Sequence, residues 1–223
     1  MDLVNIIIAF VIIVFICLIW MWYMLANPPN LISKPFDKLT FKTGDMILFH
    51  AYDNINPVFI GSYWGHVGIV YKDPDALSEP VLFEAARTSK MKNCPEYNKH
   101  GIMITDLKTR LEKYPGMIAC KFLNNPVNDG IIRGMVELLD YAKKNMYYND
   151  NVVYNGIKKK KGERINNHTN CGEIVVLSLI KLGLLPEKTL DEKIAHHLLY
   201  VSKLTTLQNN YYLDPVEITF NPF

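Results

Sequence analysis

The sequence predicts an α+β domain preceded by one transmembrane helix. Three observations carry this prediction: a long apolar stretch without charge near the N-terminus, a series of short strand-like runs after it, and helical patterns that come mostly later. Strands that precede helices along the chain are typical of α+β domains. Because short links join the strand-like runs, we expect an antiparallel sheet.

The apolar stretch covers residues 4–26, which include no charged side chain. At about 1.5 Å per residue, a helix of this length spans a bilayer core of roughly 30 Å. Trp20, Trp22 and Tyr23 cluster at its end, where aromatic side chains anchor at the membrane interface. No basic residue precedes the stretch, and it is longer than the apolar part of a signal peptide. An uncleaved anchor in contact with membrane lipids is therefore favoured over a cleaved signal.

The charges around this stretch predict its orientation. Asp2 precedes it, and three lysines follow it within a short distance, Lys34, Lys38 and Lys42. The positive-inside rule then places the C-terminal part in the cytosol and makes the protein a single-pass membrane protein. The predicted organisation is an anchor, a linker with three prolines and one folded domain, at residues 1–26, 27–40 and 41–223.

Composition excludes some functions. The formal charge is only +2 over 223 residues, which argues against nucleic acid as the main partner. Of the four cysteines, three lie beyond the apolar stretch, at positions 94, 120 and 171, and none forms a CxxC pair. An odd count argues against a disulfide framework and fits a reducing compartment. No His/Cys cluster has zinc-site spacing, so no metal or other cofactor is expected.

Alternating and apolar runs bounded by turn residues predict five strands, over Asp45–His50, His66–Tyr71, Val81–Ala85, Gly101–Thr105 and Met117–Phe122. Helical patterns predict a short helix that Asp106 caps and that runs to Lys113, and longer helices over Ile131–Lys144 and Thr189–Lys203. The tail, Tyr211–Phe220, has β character and is expected to close the sheet.

The central helix of the domain is predicted to follow Asn170, a good N-cap residue, and to carry Cys171 in its first turn. Glu173 stands where a capping-box carboxylate reaches back to the cap. The residues from 174 to 185 leave almost no polar face, which is typical of a buried helix. Gly183 suits the position after the C-cap, and Pro186 prevents continuation.

The position of Cys171 in the first turn of a helix affects the reactivity of its thiol. Unpaired N–H groups and the macrodipole at a helix N-terminus favour an anion. A free thiol has a pKa of about 8.5, and a helix N-terminus next to a cation lowers such values to about 3.5–7.5. The sequence thus indicates a nucleophilic thiolate, and the alternative is an ordinary small buried residue.

A thiolate needs a base, and the base needs an orienting group. Among six histidines, His66 opens a predicted strand between Gly65 and Gly68, and Glu84 lies near the end of the next strand among apolar residues. Adjacent strands can bring these two side chains together on one face. Because an unpaired buried carboxylate is costly, Glu84 is expected to have a partner. His168 is the second choice of base and His50 the third.

Four short segments follow one another along the chain in this order: residues 44–49 (GDMILF), 64–71 (WGHVGIVY), 83–85 (FEA) and 170–175 (NCGEIV). They resemble the circularly permuted branch of the NlpC-type papain-like superfamily. The similarity is greatest to the YiiX-like and poxvirus members, with lecithin–retinol acyltransferase as a more distant relative. The resemblance covers about residues 41–186 and implies a permuted papain-like fold, in which an antiparallel sheet packs on a central helix that begins at the nucleophile.

The resemblance further implies that Cys171 is the nucleophile, His66 the general base and Glu84 the orienting residue. The implied function is that of a cysteine hydrolase or acyltransferase, which cleaves an amide or ester bond of a lipid, lipidated or peptide substrate through a thioester. The backbone N–H of Cys171 is a candidate oxyanion donor. Gly172 departs from relatives that often carry Ser at that position. The alternative is a catalytically silent, membrane-bound binding module of the same fold.

Overall fold

The structure of the chain is a computed structural model that describes residues 2–26, 31–50, 62–75, 78–86, 101–148, 168–191 and 201–220. It has an apolar N-terminal helix followed by a mixed sheet with helices, so the α+β class predicted from the sequence is confirmed. Cys94 lies outside the described residues, as do three histidines that are not candidate bases, His100, His196 and His197.

The N-terminal helix, α1, runs over Leu3–Ala26. Its stretch Leu3–Met21 has a mean hydropathy of 3.2 and is long and apolar enough to cross a membrane. Its large apolar side chains are exposed to the surroundings, with Phe10 at 67% and Phe15 at 63%. Apolar surface left exposed over a whole helix is typical of a segment that lies in lipid, and the same length and composition also occur in signal sequences.

Seven of the described strands form one sheet in the order β1-β9-β6-β2-β3-β4-β5. Their bounds are β1 Leu31–Ser33, β2 Met46–His50, β3 His66–Tyr71, β4 Val81–Ala86, β5 Gly101–Asp106, β6 Met117–Lys121 and β9 Glu217–Thr219. Two further short strands, β7 Tyr147–Tyr148 and β8 His168–Thr169, pair with each other. All five strands predicted from the sequence are present within one residue of their predicted bounds.

The sheet is mixed rather than purely antiparallel. Strands β2 to β5 form the predicted antiparallel meander, and β6 and β9 continue the antiparallel pairing. Strand β1 pairs parallel with β9, with Ile32 opposite Ile218. Residues 31–33 of the segment predicted as a linker therefore belong to the sheet. The sequence did not indicate this, because three residues are too few to show an alternating pattern.

The helices of the domain are α2 Leu107–Glu112, α3 Asp129–Asn145 and α4 Cys171–Lys181, with 3₁₀ turns at Phe36–Lys38 and Glu187–Asp191. Asp106 caps α2 as predicted, since its side chain accepts a hydrogen bond from the Thr109 N–H at 2.7 Å. The helix predicted over Thr189–Lys203 starts within the second 3₁₀ turn, and residues 192–200 lie outside the described part.

Each face of the sheet carries its own apolar core. On one face, side chains such as Leu48, Ile69 and Phe83 pack with α3 and α4. On the other face, Phe49, Val70 and Leu82 pack with Leu107 and Leu111 of α2. Because both faces are covered, every residue of β2 is buried. The sheet is therefore a rigid platform at whose ends functional side chains can be held.

The Gly44-Asp45 pair has a structural role. The buried carboxylate of Asp45 accepts hydrogen bonds from the Lys42 and Leu123 N–H groups, each at 2.8 Å. Gly44 has a φ of 98°, and a Cβ there would lie 2.9 Å from the Leu123 side chain. Burial raises the pKa of Asp45 to about 6, although these hydrogen bonds and Lys42 oppose the shift. This pair thus joins the start of β2 to the end of β6.

Helix α4 begins and ends as its sequence predicts. The Asn170 side chain accepts a hydrogen bond from the Glu173 N–H at 2.8 Å. At the other end, Gly183 has a φ of 68° and its N–H donates to the Ile180 carbonyl, while the Leu184 N–H donates to the Leu179 carbonyl. These two bonds form a Schellman motif. Both ends of the helix that carries Cys171 are therefore fixed.

Candidate active site

His66 is the first residue of β3, and its position follows from the pairing of its strand. It lies opposite Phe49 of β2, and the two rings are 5.5 Å apart. Its Nε2 is 2.6 Å from Oε2 of Glu84. The side chain is 18% exposed, so the imidazole is accessible from solvent at the end of the sheet.

Glu84 is in the middle of β4, between Phe83 and Ala85, which face the core that contains α4. Its own side chain points to the opposite face and is completely buried. The register of β3 and β4 puts Glu84 opposite Gly68, which makes it a diagonal neighbour of His66. The predicted contact between these two side chains on one face is present.

Cys171 is the first residue of α4 and is partly exposed. Its thiol lies near the His66 side chain and is the largest of the influences that raise the pKa of that ring. Because Nε2 of His66 faces Glu84, Nδ1 is the ring nitrogen left for the sulfur. The structure therefore brings together all three side chains that the sequence singled out, in the order Cys171, His66, Glu84, from the surface inward.

A fourth residue, Arg110 of α2, completes the group, and sequence reasoning missed it. Its Nε donates to Oε1 of Glu84 at 2.6 Å, and its Nη2 donates to Oε2 at 3.1 Å. The guanidinium lies over the rings of Phe49 and Tyr114, 4.4 Å and 5.2 Å from their centroids, and Arg110 is 1% exposed. The available signal was a charged residue on the helix face that carries Leu107 and Leu111.

These contacts decide the protonation states. Burial raises the pKa of Glu84, but the Arg110 charge and the His66 hydrogen bond outweigh it and lower that pKa to about 2. Burial lowers the pKa of His66, but hydrogen bonds to Cys171 and Glu84 outweigh it and raise the value from 6.5 to about 9. At neutral pH the group therefore contains a carboxylate next to an imidazolium, with the thiol sulfur on the other side of the ring.

A second set of buried contacts holds the loop before His66. The Trp64 indole N–H donates to Oε2 of Glu217 at 2.9 Å, which ties this loop to β9. Burial raises the pKa of Glu217 to about 7, although Trp64 and Lys121 oppose the shift. The Lys121 ammonium donates to the carbonyls of Ser202 and Leu204 at 3.2 and 2.7 Å. The sequence placed Trp64 two residues before His66 but did not indicate that Glu217 is the partner of Trp64.

The other candidate bases are placed differently. His50 is 4% exposed, its Nδ1 is 2.6 Å from the Tyr63 carbonyl oxygen, and its ring stacks on that of Tyr63. His168 is in β8, and its side chain lies outside the described part of the chain. Cys120 is fully buried, and burial raises its thiol pKa well above 9. Cys171 is thus the described cysteine of the domain that lies next to a histidine base.

The described residues contain no group of three or more His, Cys, Asp or Glu side chains that could hold a metal ion. The Glu84 carboxylate is paired with two cations, His66 and Arg110, so its charge is compensated within the group.

The chain has a likeness among solved structures. No protein-family model matches the chain, and no curated protein matches its sequence. Among solved structures, the chain is similar to the metalloprotein yiiX from Escherichia coli O157:H7, with a TM-score of 0.43 and 14% sequence identity. That similarity covers 70% of this chain and 86% of the YiiX chain.

The raised pKa of His66 predicts how its ring titrates in the full chain, held in detergent micelles. We expect a midpoint near 9 by NMR of labelled histidines. Because the folded value is above 6.5, the interaction stabilises the fold fully below about pH 6.5 and is lost as pH rises through about 9.

The variant Cys171→Ala removes the largest cause that raises this pKa, so we expect the His66 midpoint to fall. Cys120→Ala, a change at a buried thiol away from the ring, serves as the matched control and leaves the midpoint unchanged. A midpoint near 6.5 in the folded wild-type chain would contradict the interaction.

Proposed function

We propose that the protein is a membrane-anchored cysteine hydrolase or acyltransferase in which Cys171 is the nucleophile. The observation that carries the proposal is the 2.6 Å contact of His66 with Glu84 next to Cys171, whose sulfur is at the N-terminus of a capped helix and raises the His66 pKa. A nucleophile, a base and an orienting carboxylate in this order are what covalent acyl transfer requires.

In the mechanism that we propose, the thiol proton has moved to His66 before the substrate binds, and the raised His66 pKa of about 9 keeps it there at neutral pH. The Cys171 sulfur would then attack a carbonyl carbon, and the imidazolium would give its proton to the leaving amine or alcohol as the tetrahedral intermediate collapses to a thioester. Neutral His66 would next take a proton from water or a second nucleophile, which attacks the thioester carbonyl and releases the acyl group. Cys171 is regenerated, so atoms and protons balance.

Glu84 has the orienting role in this mechanism. Its hydrogen bond to Nε2 keeps Nδ1 directed at the sulfur and stabilises the imidazolium. Because its pKa is held near 2, Glu84 stays ionised throughout the cycle rather than taking up the proton. The order of these residues in the chain, with the cysteine helix after the histidine strand, supports a permuted papain-like arrangement.

The developing oxyanion needs donors, and two lie at the start of α4. One is the backbone N–H of Cys171, since the first N–H groups of a helix have no partner within it. The other is Nδ2 of Asn170, which is buried and has no hydrogen-bond partner among the residues that the structure describes. A buried donor without a partner is costly, and an oxyanion would satisfy it.

The substrate class follows from the anchor. A span such as α1 keeps the site near a bilayer, which favours lipids or lipidated peptides over soluble peptide amides. The lysines that follow the span favour a cytosolic domain. The second candidate is a catalytically silent binding module, but the ordinary packing of a domain does not require an accessible thiol paired with an imidazolium.

The first prediction is acylation of Cys171. The full chain in micelles is incubated with p-nitrophenyl esters of short and long acyl chains, and its peptides are analysed by mass spectrometry. We expect an adduct on Cys171 that hydroxylamine removes, as it removes thioesters. His66→Ala should slow its formation by about 10²–10⁴-fold, the usual contribution of a general acid–base. Cys120→Ala should have no effect, and slow, equal modification of all cysteines would favour the binding module.

The second prediction separates the amide of Asn170 from its capping role. Serine caps helices about as well as asparagine, so Asn170→Ser keeps α4 intact but removes the Nδ2 donor. We expect kcat for ester hydrolysis to fall by about 10²–10³-fold, as when one oxyanion donor is lost, with little change in KM. The control is Asn128→Ser, the same change at the cap of α3. An unchanged kcat for Asn170→Ser would assign Asn170 to capping alone.

The third prediction concerns orientation. In sealed microsomes, an added protease should digest the domain from the cytosolic side without detergent. Protection of the domain, together with a glycan on the Asn167-His168-Thr169 sequon, would show the opposite topology.

A further inference from the structure

Arg110 has no contact with Cys171 that would make it part of the proposed chemistry, yet it is the least exposed cation of the group. Its side chain is 1% exposed, and both its hydrogen bonds go to a carboxylate with no exposure at all. Burying two charges costs more than an exposed pair returns, so such a pair is poor evidence for stability alone. The burial of Arg110 is therefore not explained by stability alone.

A further effect of Arg110 follows from the net charge of the four side chains. With the thiol ionised, the group holds two cations, Arg110 and His66, and two anions, Glu84 and Cys171, so its net charge is zero. Without Arg110 the same state would have a net charge of −1 in a largely buried place. A low-dielectric environment penalises such a charge, and the most exposed anion, the thiolate, is the one that can readily take up a proton.

We propose that Arg110 is a positioning residue that keeps Cys171 reactive at neutral pH, because its charge balances Glu84 and so leaves the imidazolium free to pair with the thiolate. The inference rests on the proposed function, since it assigns a role within that site. It gives Arg110 an influence on a sulfur that it does not contact, through Glu84 and His66 in series.

The groups that could interfere are few. The titratable and charged side chains with described contacts to Arg110 or its partners are His66 from β3, Glu84 from β4, Cys171 from α4 and Tyr114, whose ring lies against the guanidinium together with that of Phe49. The Arg110 Nη1 is buried with no hydrogen-bond partner among the described residues, so Glu84 takes all the described hydrogen bonds of this guanidinium. A change at Arg110 therefore acts on the sulfur through Glu84.

The test is the pH dependence of Cys171 alkylation by iodoacetamide, which requires no knowledge of the substrate. The full chain in micelles is treated at a series of pH values, and the modified Cys171 peptide is quantified by mass spectrometry. In Arg110→Met, we expect the pH midpoint to rise by about one unit or more relative to the wild type, in the range that a lost charge partner produces. Arg110→Lys keeps the charge and should stay near the wild type.

A double variant distinguishes charge balance from a structural effect. Glu84→Gln combined with Arg110→Met removes both charges, so the His66–Cys171 ion pair again has no net charge around it. We expect the midpoint to fall between those of Arg110→Met and the wild type, because Glu84 no longer raises the His66 pKa. This variant also avoids a lone buried charge, which would make the single variant prone to unfold. The matched control is Arg133→Met, because Arg133 binds Asp75 through the same two nitrogens at 2.6 and 2.7 Å on the surface.

The inference is overturned if folded Arg110→Met keeps the wild-type midpoint. It is also overturned if the double variant has the same raised midpoint as Arg110→Met, as a distorted site would. These outcomes are separate from those of the acylation experiment. Acylation of Cys171 with no shift in Arg110→Met would leave the proposed function standing without this role. The expected order of midpoints without any acylation would leave charge balance standing and remove the proposed function.

Discussion

The carboxylate of Glu84 is the constraint on which the site depends. A buried, ionised carboxyl group needs cations or donors on each of its oxygens, and here Arg110 and His66 supply them. This requirement fixes the direction of the His66 ring, and the ring in turn fixes where the sulfur must lie. Strands β3 and β4 and helix α2 are thus linked by one charge, and removing a single partner of such a pair costs about 3–5 kcal/mol.

Different buried polar groups hold the sheet and the loop before His66. Asp45 joins β2 to the end of β6 through backbone N–H groups, whereas Trp64 and Glu217 join the loop before His66 to β9. Neither set has a described hydrogen bond with the sulfur. The residues quoted for the family resemblance therefore divide into two kinds: those that hold the sheet, such as Asp45, and those that form the candidate site, such as His66.

Local patterns in the sequence were sufficient to predict the strands of the meander and the helix that begins at Cys171. Turn residues, caps and apolar periods are all short-range signals. They also indicated that His66 and Glu84 share a face. They did not indicate Arg110 as the partner of Glu84 or Glu217 as the partner of Trp64, which are 26 and 153 residues apart in the chain. Such pairs depend on how the elements pack, and a single sequence does not contain that information.

The parallel pairing of β1 with β9 limits how far the sheet can lie from the end of α1. Strand β1 starts at Leu31, and α1 ends at Ala26. Five residue steps extend at most about 18 Å, at roughly 3.6 Å each. With α1 in a bilayer, as we propose, this edge of the sheet would stay within less than one bilayer thickness of the end of the helix, and the domain would remain at the surface of the adjacent leaflet.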